Sequence, residues 1–104
     1  MEKYINDKGK VGVIVSPGYG AGWSTWADNS EYLCMNKTLV EMKLRDAPAD
    51  EVADHIENEK GKSPYMGGWD KAKVEWLEKN TLFIIDEFDG FESIKTTANL
   101  HMST

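Results

Sequence analysis

Val11-Gly12-Val13-Ile14-Val15-Ser16-Pro17-Gly18-Tyr19-Gly20-Ala21-Gly22-Trp23-Ser24-Thr25-Trp26 divides at Ser16 into two unlike halves. The first half is β-branched and nearly continuously apolar, which predicts a short strand covered on both faces. Gly12 inside it predicts the close approach of another backbone or a ring. Pro17 ends the strand by removing a ladder donor. In the second half Gly18, Gly20 and Gly22 alternate with Tyr19, Ala21 and Trp23. No regular element fits that pattern, and residues 16–31 read as a loop.

Such a loop has two readings. Successive N–H groups without Cβ obstruction can converge on an anion. Tyr19, Trp23 and Trp26 can offer faces on which a base stacks, and Ser16, Ser24 and Thr25 add hydroxyl donors. The competing reading makes the rings core anchors. The known phosphate fingerprints are absent, because neither GxxxxGK[ST] nor GxGxxG occurs here. Lys62-Ser63-Pro64-Tyr65-Met66-Gly67-Gly68-Trp69-Asp70 repeats the same chemistry. The two loops can face each other across a pocket, or the second can simply link a helix to a strand.

Working outward, Asn6-Asp7-Lys8-Gly9 is a turn, and Tyr4 and Ile5 start a short strand beside residues 11–15. Asn36 caps a helix through Leu39, Val40 and Leu44. Residues 47–60 form the clearest helix. Asp46 is its expected N-cap, Pro48 lies in its first turn and Gly61 stops it. Ala49, Val52, Ala53 and Ile56 make its apolar stripe. Asp50, Glu51, Asp54, Glu57 and Glu59 line the other face. Residues 73–78 alternate as a strand and residues 81–86 form another, with Lys79-Asn80 as a tight link. Asp89-Gly90 signals a hairpin into a strand over 91–96. Residues 99–104 read as a polar, frayed tail.

The expected fold is therefore α+β: a small, mainly antiparallel sheet with one or two helices packed on one face, in a single domain over residues 1–104. Val52 and Ile56 would seat helix 47–60 on that sheet.

The composition narrows the function classes. A net charge of -6 opposes binding to a nucleic-acid duplex, and no Lys/Arg cluster offsets it. It favours solubility or a basic protein partner. The single cysteine, Cys34, fits a reducing compartment. No apolar run approaches roughly 18 residues and no leader pattern appears, so a cytoplasmic protein with no membrane partner is expected.

Asp86-Glu87-Phe88-Asp89-Gly90-Phe91-Glu92 holds four acids but lacks the spacing of a calcium loop. It reads as a solvated hairpin tip, whose rings beside acids can also insert into a basic partner. His55 and His101 have no partner at metal-ligand spacing. Neither a cofactor nor a metal is expected. Cys34 with His55 lacks an orienting third group, and Gly22-Trp23-Ser24-Thr25-Trp26 lacks the second glycine of GxSxG.

Residues 13–26, with Gly68-Trp69, Val74-Glu75-Trp76 and Ile85-Asp86-Glu87-Phe88-Asp89-Gly90-Phe91-Glu92-Ser93-Ile94, resemble a group of small bacteriophage and prophage proteins. Their usual late motif is Ile-Asp-Glu-Tyr-Asp-Gly-x-Glu, and Phe88 stands here in place of the tyrosine. The resemblance implies a phage accessory protein in a bacterial cytoplasm. Small accessory proteins of that kind often block host defence, by binding an effector or by sequestering its nucleotide messenger.

The leading expectation is a non-enzymatic protein that captures a small nucleotide-type ligand through Ser16, Gly18, Tyr19, Gly20, Gly22, Trp23, Ser24 and Trp69. The alternative is an acidic inhibitor that binds a basic host protein through Asp50, Asp54, Glu57, Asp86, Glu87 and Asp89. A small enzyme is third. A homo-oligomer is open under either binding reading.

Overall fold

A computed structural model describes residues 1–27 and 31–96. His101 and the expected tail over 99–104 lie outside the described residues. Four strands and three helices follow in order. They are β1 (Val11–Val15), α1 (Glu31–Met35), α2 (Lys37–Leu44), α3 (Ala49–Lys60), β2 (Lys73–Leu77), β3 (Phe83–Phe88) and β4 (Phe91–Thr96). The α+β class is as expected. The strands, however, form two separate antiparallel ribbons, β1 with β2 and β3 with β4.

β1 lies between two layers, and its side chains alternate between them. Ile14 points into a core made with Leu33, Leu39, Val40, Val52, Ile56, Trp23 and Trp69. Val13 and Val15 point the other way, toward Cys34, Met35, Phe83, Ile85 and Ile94. α2 and α3 thus lie on one side of β1, the β3–β4 ribbon lies on the other, and α1 contributes Leu33 to the first side and Cys34 and Met35 to the second. This is why an unbroken apolar run, rather than an alternating one, forms the central strand. Gly12 pairs with Trp76, and a Cβ there would come within 3.0–3.1 Å of Val40, Trp76 and Val74.

The capping chemistry is partly as expected. The Asn36 side chain accepts from the Thr38 and Leu39 N–H groups and starts α2. Gly61, at φ 85°, ends α3 in the left-handed conformation. Asp46 does not cap α3. It sits at φ 58° two residues too early, and Pro48 occupies the N-cap with no side-chain hydrogen bond. Residues 16–31 are not all loop. Ser24–Trp26 is a 3₁₀ turn, and α1 begins at Glu31. Lys79-Asn80 turns the chain, with Asn80 at φ 63°, but β2 and β3 do not pair across it. β2 pairs with β1 instead, and β3 with β4. Near the N-terminus only isolated bridges form, Lys3 with Asn36 and Ile5 with Val11. No helix among the described residues is long and apolar enough to cross a membrane.

Ile14 is fully buried whereas Ile84, on the outer face of β3, is 56% exposed. Ile14→Ala is expected to lower stability by about 2–5 kcal/mol, the usual range for an emptied aliphatic site. Ile84→Ala should stay within about 0.5 kcal/mol of wild type. Urea denaturation with an unchanged m-value checks both.

Candidate functional site

The first glycine loop does converge its donors on an anion, and the anion is the chain's own. Glu92, at the start of β4, is 2% exposed. Its Oε1 accepts the Ser16 N–H at 2.9 Å. Its Oε2 accepts the Trp23 N–H at 2.8 Å, the Thr25 N–H at 3.1 Å and the Thr25 hydroxyl at 2.5 Å. The Glu92 N–H in turn donates to the Ser16 carbonyl at 2.7 Å. No cation pairs with this carboxylate among the described residues. Its charge is met by peptide dipoles and one hydroxyl, the arrangement of a backbone nest. The 3₁₀ turn at Ser24–Trp26 has no cap from its own N-cap side chain. Glu92 supplies that cap from a strand far along the chain.

Three segments meet around this clasp. The Ser16 hydroxyl donates to the Ala21 carbonyl and closes the loop on itself. The Gly20 N–H donates to the Asp89 carbonyl at 2.5 Å. Gly90, at φ 87°, completes the β3–β4 turn, and a Cβ on it would lie 2.6 Å from the Ala21 nitrogen. The second glycine loop abuts the first backbone to backbone, since a Cβ on Gly68 would lie 2.2 Å from the Gly22 carbonyl oxygen. These two glycines are therefore required by the contact between segments and not by access for a ligand.

The rings sort into two groups. Trp23 and Trp69 are 0% and 1% exposed and pack at 5.2 Å between centroids. Their indole N–H groups donate to the Leu33 and Ala47 carbonyls, each at 2.7 Å. The Lys43 ammonium lies 4.3 Å from the Trp69 ring centre, and burial pulls its pKa down. Both tryptophans belong to the core. Tyr19, by contrast, is 65% exposed and Phe88 74%. Tyr19 packs at 5.1 Å on Phe91 and meets Phe88 edge-on at 6.4 Å. Trp26, also exposed, packs at 5.9 Å on Tyr65 and donates to Glu87 Oε2 at 3.1 Å. The Gly90 N–H reaches the same oxygen at 2.7 Å. That backbone bond, reinforced by the Trp26 indole, holds the Glu87 carboxyl below the usual carboxylate range.

The eight residues expected to take a ligand thus do not share one open surface. Ser16, Gly22, Trp23, Ser24 and Trp69 are buried, and only Gly18, Tyr19 and Gly20 reach solvent. Among the acids of the hairpin, Asp86, Glu87 and Asp89 are exposed as a solvated tip should be. Glu92 is not, which corrects its reading as part of that tip. Its position carried a signal, because it shares the inner face of β4 with Ile94. Phe88 and Phe91 also emerge as site residues, placed beside Tyr19 by the hairpin.

On α3, Asp50, Asp54 and Glu57 are exposed. Glu57 accepts the Ser63 hydroxyl at 3.1 Å. His55 faces Glu59 at 3.4 Å. The Cys34 thiol donates to the Glu31 carbonyl at 3.7 Å. Burial, with the charge of Glu31, pushes the Cys34 pKa up to about 11. No cluster of His, Cys, Asp and Glu among the described residues is placed to hold a metal. In comparisons with known proteins, no family model, curated protein or solved structure matches the chain.

Glu92→Gln keeps the shape but turns an amide donor toward N–H groups that need an acceptor. It is expected to cost about 2–4 kcal/mol, since hydrogen bonds to a charged group contribute about 1.5–3 kcal/mol each. Glu87→Gln should cost far less, and thermal denaturation of the pair checks the difference.

The Cys34 thiol gives a pH signature. An unfolded chain releases this proton near the ordinary value of about 8.5, before the folded chain does. Stability is therefore fully present below that pH and is lost as pH rises through about 11. Cys34→Ala should flatten that loss, as read by urea midpoints across alkaline pH.

Proposed function

We propose that this chain is a non-enzymatic binding protein whose working surface is the aromatic and acidic tip of the β3–β4 hairpin. Its partner is a protein with a basic face. One observation carries the reading. Phe88, at the end of β3, stands 74% exposed, and Tyr19, on the neighbouring glycine loop, stands 65% exposed edge-on to it, beside the exposed Asp86, Glu87 and Asp89 of the hairpin. Exposed rings held in a fixed position are the usual anchors of an interface. Carboxylates around them select a basic partner and speed the encounter.

The rings are positioned before any partner arrives. The Glu92 clasp fixes the loop that carries Tyr19, and the Gly20–Asp89 bond ties that loop to the turn. Little order remains to be imposed on binding, which favours affinity. The same clasp counts against capture of a nucleotide by the first loop. The N–H groups of Ser16, Trp23 and Thr25 are already committed to Glu92. Within the resemblance to small phage proteins, the reading makes this chain an accessory inhibitor that acts by binding a host protein. The exposed acids of α3 form a separate stripe without comparable rings, so they are the weaker candidate face.

The test immobilises wild-type protein and variants and exposes them to bacterial lysate. A basic protein should be retained at low salt and released at high salt, because screening removes exposed ion pairs. The Tyr19→Ala, Phe88→Ala double variant should bind it more than ~10-fold more weakly. Asp50→Asn with Asp54→Asn should bind as wild type does. Retention that survives loss of both rings, or that depends on the α3 acids instead, would overturn the assignment.

A further inference from the structure

We propose that the groove between the end of α3 and residues 62–65 binds a small planar anion, with its ring against Tyr32 and Tyr65 and its charge on Lys60 and Lys62. The groove encloses about 470 Å³ and carries more carbon than polar surface. That volume falls in the range of small-molecule sites, roughly 300–1,000 Å³. Leu33 and Ile56 form its apolar floor.

Three features define the ligand chemistry. First, the rings are held in place. The Tyr32 hydroxyl donates to Glu59 Oε1 at 2.9 Å, and Tyr65 packs against Trp26. Second, among the described residues Lys60 and Lys62 are the charged residues that line the groove, while Glu59 and Glu57 stand at its edge, each already accepting a hydroxyl of a lining residue, Tyr32 and Ser63. In a chain of net charge -6, such a lining marks a local preference for an anion. Neither lysine makes an ion pair among the described residues. Third, the Lys60 ammonium lies 4.4 Å from the centre of the Tyr32 ring. A cation and an aromatic face are thus already side by side, the combination that a ring bearing a phosphate or carboxylate engages at once. The groove is built from α1, α3 and the second glycine loop, so the proposal stands apart from the hairpin tip.

Titration of the full chain with phenyl phosphate, followed by amide chemical shifts, tests it. Saturable shifts should concentrate on Tyr32, Ile56 and residues 60–65. Inorganic phosphate, which lacks the ring, should bind at least several-fold more weakly. Lys60→Gln with Lys62→Gln should weaken phenyl phosphate by about tenfold or more, and Tyr65→Ala should weaken it too. All three side chains belong to exposed residues, and the amide spectrum verifies that each variant stays folded. Tyr19→Ala with Phe88→Ala should leave the affinity unchanged, which separates this site from the tip. Shifts scattered over Lys8, Lys71 and Lys79, equal affinity for inorganic phosphate, or full affinity in the double lysine variant would each overturn the proposal.

Discussion

A single buried carboxylate holds this structure's loops in register. Glu92 takes four donors from the segment after β1, three of them peptide N–H groups. A charged group withdrawn from water is costly unless its lone pairs are filled. Here they are filled by groups that would otherwise be unsatisfied themselves, the N–H donors of a tight glycine-rich loop and a 3₁₀ turn. Each side of the contact relieves the other. The interaction therefore acts as a polar joint between the central strand and the outer ribbon, beside the apolar contacts of Val13 and Val15 with Phe83, Ile85 and Ile94.

Much else follows from that joint. With Glu92 seated, its own N–H meets the Ser16 carbonyl and β4 is anchored beside the end of β1. The hairpin turn then reaches the Gly20-Ala21 backbone, where Gly90 leaves just enough room. Tyr19 is carried onto Phe91 and toward Phe88, and Trp26 onto Tyr65 and Glu87. Behind them, Trp23 and Trp69 pack against each other in the core, worth about 0.5–1.5 kcal/mol beyond the area they bury. One loop thus sends Trp23 inward to the core and Tyr19 and Trp26 outward to solvent. The outward rings are carried by the same backbone that the buried Trp23 and the Glu92 clasp hold.

The same arrangement separates two kinds of surface. The N–H groups of Ser16, Trp23 and Thr25 are committed to Glu92, so an external phosphate would have to compete with it for them. The acids that remain exposed on the hairpin surround Tyr19 and Phe88. Cationic character lies elsewhere, in the groove that Lys60 and Lys62 line beside Tyr32 and Tyr65. A chain of net charge -6 can present faces of opposite preference because its local charge pattern, rather than its sum, sets the potential at each surface.

The sequence by itself determined the elements whose causes are local. The two-sided burial of β1 was legible from its unbroken β-branched run. The start of α2 at Asn36, the stop of α3 at Gly61 and the Asp89-Gly90 turn followed from capping and turn chemistry. Tertiary structure alone decided what lies far apart in the chain. It divided the strands into two ribbons, β1 with β2 and β3 with β4. It sent Trp23 and Trp69 into the core and left Tyr19 outside, since ring orientation depends on which layer covers each side of the loop. Above all, it chose Glu92 as the anion. Seven residues hold four acids there, and only the pleat of β4 and the position of β1 turn that one inward. The expectation was of an external ligand at the glycine loop, whereas the anion that the Ser16, Trp23 and Thr25 N–H groups meet is Glu92. Its source was another part of the same chain, because a tethered carboxylate reaches the nest without the entropy cost that a free ligand bears.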